Sequence, residues 1–82
     1  VKILPWEPVL DDAPYFVRRT VNGIAVGEVR LSALGPWRTG YRLNSDAQWS
    51  AGTKGDDVES AARSVNAKLR SWGFDCDDTI PA

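Results

Sequence analysis

One stretch constrains this chain more than any other: residues 56–72, DDVESAARSVNAKLRSW. Val58, Ala61, Ala62, Val65, Leu69 and Trp72 recur at i, i+3, i+4, i+7, the spacing of one apolar stripe on a helix. Glu59, Ser60, Arg63, Ser64, Ala67, Arg70 and Ser71 make the opposite side almost entirely polar. Such a helix has one face to bury, so the residues before it must supply a partner surface. Its ends are marked. Asp56 fits the N-cap and Glu59 the capping-box position. Asp57 suits the positive end of the helix dipole, and Lys68 and Arg70 the negative end. Glu59 and Arg63 form an i, i+4 pair in the favourable order. Gly73 fits the left-handed residue beyond the helix, with Phe74 placed to fold back on its last turn.

The segment before the helix reads as strands. YFVRRTV and IAVGEVRLSAL flank Asn22-Gly23, a strong hairpin signal. A two-residue turn there sets Val21 against Ile24, Arg19 against Val26 and Val17 against Glu28. Apolar residues then switch face partway along the second strand. A bulge near Gly27 would place Ile24 and Val26 on the side of Val29 and Leu31. After the Gly35-Pro36 turn, WRTGYRL alternates. Trp37, Thr39, Tyr41 and Leu43 are expected to face the helix, with Arg38, Gly40 and Arg42 on the open face. Residues 48–51 make a short last strand with Trp49 directed inward. At the N-terminus, Pro5, Pro8 and Pro14 forbid a helix or a central strand. Val1–Leu4 could add an edge strand, and Trp6, Val9 and Leu10 are placed to pack across one end of the core. The acidic tail from Phe74 to Ala82 is expected to be loosely held.

The expected fold is therefore α+β: an antiparallel three- to four-stranded β-meander packed on one C-terminal helix at about residues 56–72. The 82 residues make a single domain, divided into a proline-containing arm (1–14), the meander (15–52), the helix and an acidic tail (73–82).

Composition narrows the function classes. The chain has no histidine, which removes the commonest general base and zinc ligand, and one cysteine, Cys76. It has no Gly-rich phosphate loop. The adjacent pairs Asp11/Asp12 and Asp56/Asp57 diverge on a strand or helix and make no catalytic dyad. These absences point away from an enzyme, and no cofactor or metal is expected. Nothing approaches a membrane span or a signal peptide. The expected location is cytoplasmic. Charge is unevenly placed. Residues 15–44 hold five arginines, no lysine and one glutamate, whereas both ends are acidic. Arginine suits planar, bidentate recognition of carboxylates and phosphates. The partner-binding candidates are accordingly Arg18, Arg30, Arg38 and Arg42, with Trp6 as an exposed aromatic anchor.

Residues 37–72, with WRTGYRL, WSAGT and the alanine-bearing helix, resemble AP2 and integrase-arm DNA-binding domains. That resemblance implies a sheet lying on the major groove, with Arg30, Arg38 and Arg42 as groove or phosphate contacts. The same segment is similar to the double-stranded-RNA-binding domain, but Asp56-Asp57-Val58-Glu59 is acidic where that family is basic. In overall style, with short hairpins, a terminal helix ending in WGF and a pI near 5.2, the chain resembles small phage and prophage accessory proteins. That resemblance implies a non-enzymatic regulator or inhibitor that binds a host protein, such as one acting in bacterial defence. The alternative is a nucleic-acid-binding module using the arginine face. A homo-oligomer joined at a strand edge is a third arrangement open to such a sheet.

Overall fold

The computed structural model describes residues 1–9, 14–32, 35–52 and 54–81. Five strands and one helix follow in order: β1 (Glu7–Pro8), β2 (Tyr15–Arg19), β3 (Ala25–Leu31), β4 (Trp37–Tyr41), β5 (Ser50–Ala51) and α1 (Val58–Ser71). Each strand pairs antiparallel with the next, so the sheet order is the chain order. The helix lies across β3 and β4 on one face. The α+β meander with a C-terminal helix thus stands with five strands, the expected last strand shortened to two residues and a two-residue strand added at the other edge.

The hairpin turn is one residue longer than Asn22-Gly23 alone would make it. The Gly23 N–H donates to the Thr20 carbonyl (2.9 Å), and the Thr20 N–H donates to the Ile24 carbonyl (2.9 Å). Gly23 takes φ 87°, a left-handed conformation that glycine adopts without steric cost. Thr20, not Val21, therefore faces Ile24, and Arg19 pairs with Ala25. A bulge at Val26 then restores the register, so that Arg18 pairs with Gly27 and Val17 with Glu28. The bulge turns Ile24, Val26 and Val29 all toward the helix.

The core consists of Ile3, Val26, Val29, Ala61, Val65, Leu69 and Cys76, ringed by Trp6, Phe16, Ile24, Trp37, Tyr41, Val58, Trp72 and Phe74. Gly27 allows the close helix–sheet approach, because a Cβ there would lie 2.8 Å from Val65 Cγ1. Tyr41 and Trp72 meet edge to face at 5.3 Å, with the Lys68 ammonium over both rings. Asp57, one residue beyond the expected Asp56, caps the helix by accepting from the Ser60 N–H (2.7 Å). Glu59 pairs with Arg63 (2.8 Å) instead of closing a capping box.

Three further expectations are overturned. Leu43 is 55% exposed, since it follows the last residue of β4 and is carried into a turn. Trp49 leaves the core, as described below. The tail is packed, not loose. The Phe74 N–H donates back to the Leu69 carbonyl (3.1 Å), the Ile3 N–H donates to the Asp75 carbonyl (2.9 Å) and the Asp75 N–H donates to the Val1 carbonyl (2.8 Å). Cys76 and Pro81 are buried. The arm also differs in detail: its edge strand is Glu7–Pro8, while Ile3 bridges to Thr20. Leu10, expected to pack across the core, and the Asp11/Asp12 pair lie outside the described residues.

The tail is held by Arg18, which is 0% exposed. Its Nε donates to the Leu4 carbonyl (2.9 Å). Its Nη1 reaches Asn66 Oδ1 (2.8 Å), Cys76 Sγ (3.1 Å) and the Asp77 carbonyl (3.1 Å), and Nη2 pairs with Asp77 Oδ1 (2.8 Å). Asn66, buried on α1, donates in turn to the Thr79 carbonyl (2.9 Å). The Asp77 carboxyl is held down to about 2, first by the Thr79 hydroxyl and then by Arg18. A carboxyl depressed below its ordinary 3.8 contributes stability that is complete above that pH and is lost as pH falls through the folded value. Thermal unfolding of Asp77→Asn is expected to show a lower Tm than the wild type at neutral pH. The gap should close progressively from pH 4 toward pH 2. A gap that stays constant over that range would contradict this role.

Candidate functional site

The alternation of an antiparallel sheet sends every second side chain away from the helix. Gly27 faces α1, so Glu28 and Arg30 of β3 face the other way. Their cross-strand partners on β4 are Gly40 and Arg38. On β2 the same face carries Tyr15, Val17 and Arg19, and on the far side it carries Ala51 of β5, paired with Gly40. A shallow cleft of about 210 Å³ opens here. Glu28, Gly40, Trp49 and Ala51 lie along it, and Arg30, Arg38 and Lys54 add three exposed cations to its lining.

Gly40 makes the cleft. A Cβ on it would lie 2.9 Å from Glu28 Cγ, so the Glu28 side chain lies against bare backbone. The Glu28 carboxylate accepts from the Tyr15 hydroxyl (2.8 Å). The Tyr15 phenol is correspondingly pushed above its ordinary value, first by burial and then by the Glu28 hydrogen bond. Two residues along β3 from Glu28, Arg30 is the direct cross-strand partner of Arg38. Like charges in that position destabilise a sheet. Among the described residues, no carboxylate forms an ion pair with Arg30, Arg38, Arg42 or Lys54. Arg19 on the same face is neutralised by Glu7.

The sequence candidates separate into two groups. Arg30 and Arg38 line the cleft. Arg42 joins them through Trp49: its guanidinium lies 4.5 Å from the ring centroid, and its Nε donates to the Ala25 carbonyl (2.7 Å). Arg18 is withdrawn from any surface, because it points to the helix side and is saturated with buried partners. Trp6 sits with Arg18, 5.8 Å from its guanidinium, half-buried, with its indole N–H on the Thr79 carbonyl (2.9 Å). It serves the clasp on the tail and is absent from the cleft.

Trp49, Lys54, Tyr15, Glu28 and Gly40 were not among the sequence candidates. Trp49 was expected inward, yet it lines the open face and remains 36% exposed. A two-residue strand is too short to display a period. The pairing of Gly40 with Ala51 fixes the phase instead, and Trp49, two residues from Ala51, follows it. Among the described residues no group of His, Cys, Asp and Glu could hold a metal, and no helix is long and apolar enough to cross a membrane. The chain matches no protein-family model, no curated protein and no solved structure.

The Tyr15–Glu28 bond gives a direct check on this geometry. In a Tyr41→Phe background, Tyr15 is the one tyrosine left of the chain's two. Its phenolate absorbance is expected to rise only above the ordinary pH of about 10. Adding Glu28→Gln should bring the midpoint down. An unmoved midpoint would mean that the two side chains do not meet.

Proposed function

We propose that this chain is a small non-enzymatic binding module that regulates or inhibits another protein, meeting an acidic region of it with the open face of the sheet. The observation that carries this reading is the cross-strand Arg30–Arg38 pair, which forms no ion pair among the described residues. A sheet under selection for stability alone gains nothing from two arginines at one cross-strand position, whereas an anionic partner turns their repulsion into attraction. Lys54 beside them and the arginine-capped Trp49 add a further cation and apolar area, the mix common at interface hot spots. The resemblance to phage and prophage accessory proteins fits such a partner being a host protein.

A nucleic-acid module is the second reading, supported by the same cations and by the likeness of residues 37–72 to sheet-bearing DNA-binding domains. Two features weigh against it. Glu7 and Glu28 stand on the same face as the arginines and would repel a phosphate track. The two aromatic rings of that face already carry guanidiniums, Arg30 over Tyr15 (6.0 Å) and Arg42 over Trp49 (4.5 Å), so neither is a bare platform for base stacking.

Charge reversal tests the proposal. Arg30→Glu with Arg38→Glu is expected to cost less than about 1 kcal/mol of stability, as for exposed positions. The folded variant should lose a protein that the wild-type chain retains from a bacterial lysate. Retention of the same proteins by both would refute the reading. Salt-sensitive binding of duplex or single-stranded DNA by the wild type, lost in the variant, would replace it with the nucleic-acid reading.

A further inference from the structure

We propose that the cleft over Gly40 is a carboxylate receptor, taking one Asp or Glu side chain from an acidic segment of the protein partner. This rests on the reading of the open face as a protein-binding surface and names what that face recognises.

Four observations lead to it. The first is the donor set. Arg30 and Arg38 face each other across the β3–β4 ladder, and Lys54 lines the same cleft. A carboxylate at this position can accept from a planar guanidinium fork on each strand, a charge-assisted and bidentate geometry. The second is that the protein's own carboxylate is withheld. Glu28 is close enough to compete, but it accepts from the Tyr15 hydroxyl (2.8 Å) and pairs with neither arginine. The third is size. About 210 Å³ lies below the roughly 300–1,000 Å³ of pockets that enclose whole small molecules. The space suits a side chain, with Trp49 and Ala51 forming a wall for its methylenes. The fourth is Gly40, whose missing side chain lets Glu28 lie down against the sheet, its Cγ and Oε2 2.9 Å from where a Cβ would stand, so that any larger residue there would push Glu28 up among the cations.

The test is a titration of the ¹⁵N-labelled chain at low salt with three probes: a capped oligoglutamate peptide, an oligothymidylate and inorganic phosphate. The expected result is that oligoglutamate binds most tightly and moves the amides of Arg30, Arg38, Gly40, Ala51 and Lys54 together with the Trp49 indole. Arg38→Ala should weaken binding about tenfold or more, and Arg63→Ala on the helix should leave it unchanged. Gly40→Ala, which forces the Glu28 side chain into the cleft, should weaken it comparably although every cation remains. Full-strength binding by Gly40→Ala, with loss in Arg38→Ala, would overturn the receptor and leave the wider face-level reading standing. Tighter binding of oligothymidylate at the same residues would overturn both. Phosphate matching the peptide per site would overturn the carboxylate assignment, and no shift with any probe would overturn the receptor.

Discussion

A buried guanidinium holds this small fold together. Arg18 lies on the helix-facing side of β2, and its donors reach the N-terminal arm at Leu4, the helix at Asn66 and the tail at Cys76 and Asp77. A buried charge is tolerable only when it is paired and its donors are filled, and removing one partner of such a group typically costs about 3–5 kcal/mol. That is a large share of the roughly 5–15 kcal/mol available to a domain. Satisfying Arg18 therefore requires both chain ends to be in place. The ends in turn support one another, through Trp6 on Thr79 and Ile3 on Asp75. All of this polar structure lies on the helix side. The opposite face of the sheet carries the cleft.

That division explains how much the sequence discloses. The helix is legible because its apolar stripe runs for several turns, and α1 covers Val58–Ser71 within the expected bounds. The central meander is legible from Asn22-Gly23 and from the alternation of WRTGY. The bulge is legible only as a conflict of phase, which Val26 resolves. By contrast, Arg18 carries no mark that distinguishes it from Arg19 or Arg30. Its burial depends on Asn66 and Asp77, 48 and 59 residues away. The tail reads as acidic and loose for the same reason: nothing local announces that one of its aspartates closes a core contact. The cleft was half legible. Arg30 and Arg38 follow from strand alternation, but Trp49 and Lys54 flank a two-residue strand whose phase is set by its neighbour.

The open face then stands as the unexplained part of an otherwise satisfied molecule. Other surface arginines meet carboxylates: Arg63 meets Glu59 and Arg70 meets Asp78 from α1, and Arg19 meets Glu7 at the edge of the open face. No buried side-chain polar atom among the described residues lacks a partner. Against that background the opposed Arg30–Arg38 pair is a local conflict, with the nearest carboxylate engaged by Tyr15. Conflicts between local stability and sequence choice concentrate where a protein meets something else.

The stability of Arg38→Gln in the unliganded protein shows whether the Arg30–Arg38 pairing is a cost to the fold, as its proposed role in recognition requires. At low salt the variant is expected to unfold at higher denaturant than the wild type, with a gain of a few tenths to about 1 kcal/mol from relief of the cross-strand repulsion. The gain should fade as added salt screens the exposed pair. A variant less stable than the wild type at low salt would show that Arg38 supports the sheet, and the open face would lose its claim to be a recognition surface.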